Sequence, residues 1–239
     1  MKLNKIVVYT AISGDYDDLK IPKFISQNCD YVCFTDNDKI DSDFWTILPF
    51  PDSSLDKVRK CRLVKILPHK FFSAYRISVW LDGNIEIMGD VNEIIKEYLI
   101  IQKNKIVSFK HPMRNCIYEE GKMCIEQQRD KKSIIEEQLS KYVKADYPAQ
   151  HGLIESNVII RDHNDAQVID VMEDWWQEVK KFSRRDQLSF NYVVWKNKSS
   201  YAVMTGSARN TNDFFLLKEH AKKSFVDKVV DKIIRIFTY

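Results

Sequence analysis

Ile77-Ser78-Val79-Trp80-Leu81-Asp82-Gly83-Asn84 joins a short apolar run to an acidic, glycine-containing turn. A run of this length, with β-branched and aromatic side chains and turn formers at its end, reads as a strand buried on both faces. Two earlier segments share the plan. Lys5–Ile12 (KIVVYTAI) stops at Gly14-Asp15, and Asp30–Thr35 (DYVCFT) stops at Asp36-Asn37-Asp38. Each run therefore delivers a carboxylate at its end. In an open α/β sheet, ligands bind beyond the carboxyl ends of the strands. Lying parallel, the three strands bring Asp15, Asp36 and Asp82 to one edge of the sheet.

Helical patterns separate the runs. Leu55–Leu67 ends at Pro68, as a helix should. Val91–Ile101 follows Asp90, Gln127–Tyr142 presents Ile134, Ile135, Leu139 and Tyr142 on one face, and Ala166–Phe182 carries Trp175-Trp176. Lys105–Phe109, Leu153–Arg161 and Tyr201–Met204 are further strand candidates. The alternation predicts an α/β fold with a mostly parallel central sheet and flanking helices. No internal repeat and no linker-like shift in composition interrupts it.

Composition narrows the class. The 239 residues are 44% hydrophobic and 30% charged, which fits an ordinary globular domain and argues against disorder. A net charge of +3 is too small to imply a nucleic-acid partner. The five cysteines are irregularly spaced with no CxxC pair, so reduced thiols and a cytoplasmic location are expected. The apolar run at 6–12 is short, contains Tyr9 and Thr10 and meets Asp15, Asp17 and Asp18, so it reads as a strand rather than a secretion signal.

Three clusters carry candidate chemistry. In Asp82-Gly83-Asn84 two oxygen ligands stand two residues apart at a strand end, which suits Mg²⁺ or Mn²⁺ on a diphosphate. Gly83 lets the chain turn tightly there. Arg59, Arg62 and Lys65 recur three apart on one helix; they are either a solvated face or a grip on phosphate. Ser183–Phe190 (SRRDQLSF) offers Asp186-Gln187, a carboxylate and an amide fit for a hydroxyl-rich ligand, after a pair of arginines that could be a surface ion-pair cluster. Glu155 adds an acid within a strand-like stretch after His151-Gly152. His111, Arg114 and Tyr118 form a polar cluster beside Glu119-Glu120, itself a natural acidic pair for a helix N-terminus.

The ordered set resembles the glycosyltransferase-like family that includes plant cell-wall and mucilage glycosyltransferases, one relative of which has been described as an alkaline ceramidase. The matching pieces are TAISGDYDDL (Thr10–Leu19), DYVCFTDN (Asp30–Asn37), KILPHKFF (Lys65–Phe72), VWLDGNIEI (Val79–Ile87), HPMRNCIYEE (His111–Glu120), GLIESNVIIR (Gly152–Arg161) and SRRDQLSF (Ser183–Phe190). The resemblance implies a GT-A type domain over residues 1–207, a nucleoside-diphosphate sugar (a UDP-sugar first) as donor and a glycan acceptor. It matches Thr10, Ala11 and Asp36 to the nucleoside, Asp82-Gly83-Asn84 to the diphosphate and Gln187 to the donor sugar; the strand-end and helix-face readings above add Asp15, Arg59, Arg62 and Lys65 as donor-binding candidates. It matches Asp186 to a position facing the reacting sugar, the first candidate for the reaction centre; the polar clusters read above supply Glu155 as the second and His111, Arg114, Tyr118 and His151 as acceptor candidates. Asp82, Asn84 and the late His220 are its metal ligands for Mn²⁺ or Mg²⁺, with Asn84 departing from the usual second acid. A metal-dependent hydrolase and a non-catalytic carbohydrate-binding protein are the alternatives.

Residues 208–239 fall outside the resemblance. Within them Phe225, Val226, Val229, Val230, Ile233, Ile234 and Phe237 recur at helical spacing among Lys222, Lys223, Lys228, Lys232 and Arg235. Such a basic amphipathic tail fits two arrangements: docking on its own domain, or lying against an anionic membrane surface, here the inner face.

Overall fold

The computed structural model describes residues 5–209 and 212–220. In chain order these form β1 (Ile6–Ile12), β2 (Cys29–Thr35), β3 (Thr46–Leu48), α1 (Lys57–Ile66), α2 (Pro68–Phe71), β4 (Ile77–Leu81), β5 (Ile85–Ile87) and α3 (Val91–Ile94). A π-helical stretch, Ile95–Ile101, continues α3. Then come β6 (Ile106–Lys110), α4 (Ile117–Glu126), α5 (Lys132–Lys144), β7 (Ile154–Asp162), α6 (Ala166–Lys181), α7 (Gln187–Lys196), β8 (Ala202–Met204) and β9 (Phe215–Leu217).

The main sheet has the order β3-β2-β1-β4-β7-β6-β8. The three runs read as core strands are β1, β2 and β4; β1 lies between the other two and pairs parallel with both. Strand β7 alone is reversed, antiparallel to β4 and to β6. Alternate side chains of β1 serve two cores. Val7, Tyr9 and Ala11 meet Trp80, α1 and the Trp175 face of α6, while Ile6, Val8 and Ile12 meet Val79, Leu81 and the α3 side. All seven residues of β1 are buried, which is why that run has no polar alternation.

Local chemistry fixes several boundaries. The Asp56 carboxylate accepts from the amides of Val58 and Arg59, so α1 starts at Lys57. The helix expected over 127–142 begins only at Lys132, as α5, because residues 127–131 form the turn that joins α4 to α5. Asp130, between them, accepts from Ser183 Oγ and the Arg184 amide, each at 2.9 Å, and Gln128 turns with a φ of 53°. The domain edge expected at Ser207 moves outward: β9 pairs with β5, and Phe215 is buried edge-on against Phe109. Residues 212–220 thus belong to the same body. The predicted amphipathic helix at 221–239 lies outside the described residues.

Candidate functional site

A cavity of about 700 Å³ opens at the carboxyl edge of the sheet. Sheet direction explains its lining. Strands β1, β4 and β6 end there, supplying Ser13, Asp82 and His111. Because β7 runs the other way, it starts at that edge and supplies Glu155, Ser156 and Asn157. A bulge opposite Ser108 and Phe109 shifts the register of β7 here, and Ser108 Oγ donates to the Val158 carbonyl at 2.8 Å. Bulges of this kind re-aim side chains beside binding sites.

The Asp82 amide is fixed by the Asn157 carbonyl at 2.8 Å. Asp82 Oδ1 accepts from Trp80 Nε1 at 2.9 Å and from Lys65 Nζ at 3.2 Å. Gly83 is required for close approach: a Cβ there would lie 3.1 Å from Ile12 Cγ1 and 3.4 Å from Asp17 Oδ2. The expectation of a tight turn is thus met differently, since the glycine makes room for the loop after β1. Asn84 is buried, and its amide nitrogen donates to the Lys218 carbonyl at 2.9 Å, which orients the amide. His220 Nδ1 sits 2.9 Å from both oxygens of Asp17, and both residues line the cavity.

Among the described residues no group of three or more His, Cys, Asp or Glu side chains is disposed to hold a metal by itself. Asp82 and Asn84 offer oxygen donors on one turn. That set fits a Mg²⁺- or Mn²⁺-type cation that takes its remaining ligands from phosphate oxygens and water.

Beneath the cavity lies a buried ionic network. Lys65 is sealed from solvent, with Nζ 2.7 Å from Asp186 Oδ2 and 3.2 Å from Ser156 Oγ. Arg62 Nε is 2.9 Å from Asp186 Oδ1, off the line of a hydrogen bond, so that contact is electrostatic. Burial alone would raise the Asp186 carboxyl, but the Arg62 and Lys65 charges outweigh it and hold it well below the usual range. The Lys65 ammonium is pushed down by burial, with Asp186 and Asp82 opposing.

Glu155 behaves oppositely. Burial raises its carboxyl above the ordinary glutamate value despite Arg209, whose Nη2 lies 2.6 Å from Oε1. His111 is buried and its pKa falls to about 4, so the ring is neutral near pH 7. Its Nδ1 accepts from the Arg114 amide at 2.9 Å, and the Arg114 Nη2 lies 3.3 Å from its Nε2. Arg114 Nε pairs with Glu120 Oε2 at 2.6 Å. Gln187 Nε2 is tied to the Ile154 carbonyl at 2.6 Å.

Of the residues singled out from sequence, Ala11, Arg62, Asp82, Gly83, Asn84, His111, Arg114, Glu155, Asp186, Gln187 and His220 line the one cavity. The others do not. Arg59 turns away and clamps the carbonyls of Val179 and Phe182 at the end of α6. Asp36 accepts from the Gly14 amide at 2.7 Å and pairs with Lys60, so it braces the loop after β1. Asp15 is exposed, and Asp17 is the acid that the loop buries in the cavity. Thr10 is buried in β1, and Lys65 acts from below the floor. Tyr118 donates to the Tyr147 carbonyl at 2.7 Å, and His151 lines a separate small hollow with Trp195 and Tyr201. Sequence reasoning passed over Asp17, Ser156, Asn157, Arg209 and Lys218. The polar Glu-Ser-Asn interruption of an apolar strand was the one available signal among them.

A sheet with its cavity at the strand ends, holding an acidic turn, defines an α/β domain built to take a ligand at that edge. The chain belongs to the TOD1/MUCI70 glycosyltransferase-like domain family, whose pattern it matches over residues 1–227. It is 26% identical over 220 residues to the probable hexosyltransferase MUCI70 of Arabidopsis thaliana, covering 79% of this chain and 37% of that protein. The chain therefore spans little more than a third of that relative. Among solved structures it is similar to the bifunctional glycosyltransferase WbbM, with TM-score 0.47, 11% identity and coverage of 85% of this chain and 39% of that one. Mouse xyloside xylosyltransferase 1 gives TM-score 0.47 and 9% identity, covering 84% of each chain.

Proposed function

We propose that this chain transfers a hexose from a nucleoside-diphosphate sugar, UDP-linked in the first instance, to a hydroxyl of a glycan acceptor. One observation carries the reading: Asp82, Asn84, Glu155, Asp186 and Gln187 converge on one cavity from β4, β7 and the start of α7. The family supports the reaction class, and the name of the plant relative supports a hexose.

In this reading the diphosphate lies over Asp82-Gly83-Asn84. Asp82 and Asn84 would hold Mn²⁺ or Mg²⁺ there, with His220 as third ligand through Nε2, since Nδ1 faces Asp17. The cation supplies neutralisation of charge on the departing diphosphate. Arg62 adds fixed positive charge at the same floor. Asp186 is a positioning residue: its oxygens are engaged by Arg62, Lys65 and Ser156, and it stays ionised. Glu155 is the carboxylate for the reacting centre, because burial raises its affinity for the acceptor hydroxyl's proton. The basic tail supports work at the inner face of a membrane.

The test is calorimetry of the full chain with a panel of nucleoside-diphosphate sugars, with and without Mn²⁺. Saturable binding of one nucleotide class, weakened by Asp82→Asn, is the expected result. No binding of any nucleotide sugar, with or without metal, overturns the reading.

A further inference from the structure

On the loop after β1 large apolar side chains stand exposed together. Ile21, Phe24 and Ile25 are 63%, 43% and 59% exposed, and Met88, just past β5, is 38% exposed. The Lys23 amide donates to the Ile87 carbonyl at 2.8 Å, which sets the loop against the end of β5 and beside Met88. Exposed apolar residues scattered singly mean little, but a contiguous patch marks a surface that meets a partner.

The loop is held in place. Trp45 Nε1 donates to the Lys20 carbonyl at 2.9 Å, and the Ser26 amide donates to the Tyr31 hydroxyl at 3.0 Å. Ser26 Oγ accepts from the Val91 amide at 2.9 Å. Pro22 and Ser26 are buried, while Ile21, Phe24 and Ile25 face outward. The backbone is thus pinned at both ends and in the middle, and a surface fixed in advance costs little ordering entropy on docking.

Charge selects the occupant. Residues 19–28 carry Lys20 and Lys23 and no carboxylate. The tail carries Lys222, Lys223, Lys228, Lys232 and Arg235 against Asp227 and Asp231. Two basic surfaces repel, which disfavours the tail as the cover of this patch, and the same repulsion disfavours a second copy of the patch. Apolar side chains set among lysines suit the boundary between acyl chains and anionic headgroups. Position agrees with charge. His220, after which the tail begins, sits 2.9 Å from Asp17 on this same loop. Asp17 and Asn84 line the cavity, and each is four residues from the patch, at Ile21 and Met88. Four residues span at most about 14 Å, so the cavity wall lies within that reach of the patch.

We propose that this face, with Ile21, Phe24, Ile25 and Met88 apolar and Lys20 and Lys23 basic, docks on an anionic lipid surface as a second anchor beside the tail. A single weak anchor holds a bilayer only marginally, and stable attachment takes two signals. The proposal rests on the membrane reading of the tail given above and deepens it; it is independent of the transfer chemistry.

The test is sedimentation of four proteins with vesicles: the full chain, the chain ending after His220, and Ile21→Ser/Ile25→Ser in each. The vesicles are phosphatidylcholine alone or mixed with phosphatidylglycerol. On the anionic vesicles the double variant should weaken binding of the full chain by at least about ten-fold, the worth of roughly two buried methylene groups. Its circular dichroism and melting temperature should match the wild type. Independently, Phe24→Trp in the full chain should lose emission to phosphatidylglycerol with brominated acyl chains, beyond the loss the wild type shows. Undiminished binding of the full-length double variant, or no added quenching of Phe24→Trp, overturns the inference and leaves the tail as the anchor. Failure of the wild-type full chain to bind anionic vesicles overturns both readings. Sedimentation of the His220-terminated form that the double variant abolishes overturns the tail reading and leaves the loop contact standing. With vesicle binding unchanged, a melting temperature lowered by the double variant in the full chain alone would place the tail on the patch, and a dimer lost in the double variant would place a second copy there; either result overturns the lipid assignment.

Discussion

The ammonium of Lys65 lies 2.7 Å from a carboxylate oxygen of Asp186, with both side chains closed off from solvent. The pair joins the end of α1 to the start of α7 directly under the cavity floor. A buried pair need not add net stability, but removing one partner strands the other charge. Asp186→Asn should therefore cost about 3–5 kcal/mol in urea unfolding at pH 7. A loss under about 1 kcal/mol would show that Asp82 alone satisfies Lys65. The pH dependence has a fixed sign. The Asp186 carboxyl is held below its unfolded value, so its stabilisation is complete above the unfolded aspartate pKa of about 4 and disappears as pH falls toward the folded one. Denaturation midpoints between pH 5 and 2 should fall more steeply for the wild type than for Asp186→Asn.

Glu155 should set the acidic limb of the rate profile. Its carboxyl is raised by burial, so the limb should lie above the ordinary glutamate pKa of about 4.3. Arg209 opposes that rise, and Arg209→Ala should move the limb further up. Glu155→Gln should remove the limb and lower kcat by about 100-fold or more, the usual scale of a positioned acid or base. A profile whose limb is the same in Glu155→Gln as in the wild type removes Glu155 from the reacting centre.

Parallel packing of β1, β2 and β4 could be read directly, because strands buried on both faces must be apolar throughout and stop at turn formers. The acidic turn after β4 followed from the same reading. The reversed β7 was harder to see, for LIESNVIIR gives no direction; yet that reversal carries Glu155 to the edge where Asp82 ends. Helical spacing grouped Arg59 with Arg62 and Lys65, but the carbonyls that capture Arg59 are more than 100 residues away in sequence. Asp17 rather than Asp15 enters the cavity because Gly83 leaves room for it, a contact between distant segments that no local pattern records.

Metal dependence follows from an amide standing where a second carboxylate would bind more strongly. The Asn84 side-chain nitrogen is committed to the Lys218 carbonyl, which leaves the oxygen as its donor atom. Chelation with EDTA should weaken nucleotide binding by about ten-fold or more, equivalent to about 1.4 kcal/mol. Asn84→Asp should retain Mn²⁺-dependent binding and need less metal for half-saturation, whereas Asn84→Leu should lose the dependence. Nucleotide affinity indifferent to chelation in the wild type would remove the cation from the site.

Where the chain can be cut separates the role of the fold's last strand from that of the tail. Ending it after Ser207 deletes β9, its pairing with β5 and the fully buried Phe215, together with the Asn212 side chain that donates to the Ser207 and Phe215 carbonyls. Loss of one buried Phe costs about 3–5 kcal/mol, a large share of the stability of a domain this size. That truncation should give an unfolded or aggregating protein by circular dichroism. Ending it after His220 keeps β9 and the Asp17–His220 contact, so its melting temperature should stay within a few degrees of the full chain. The two folded forms then isolate residues 221–239. Sedimentation with vesicles rich in anionic lipid should carry down the full chain and leave the His220-terminated form in solution, and raising the salt should release the full chain, because the tail's lysines and arginine act through screened charge. Equal sedimentation of the two forms would assign the apolar face of the tail to its own domain.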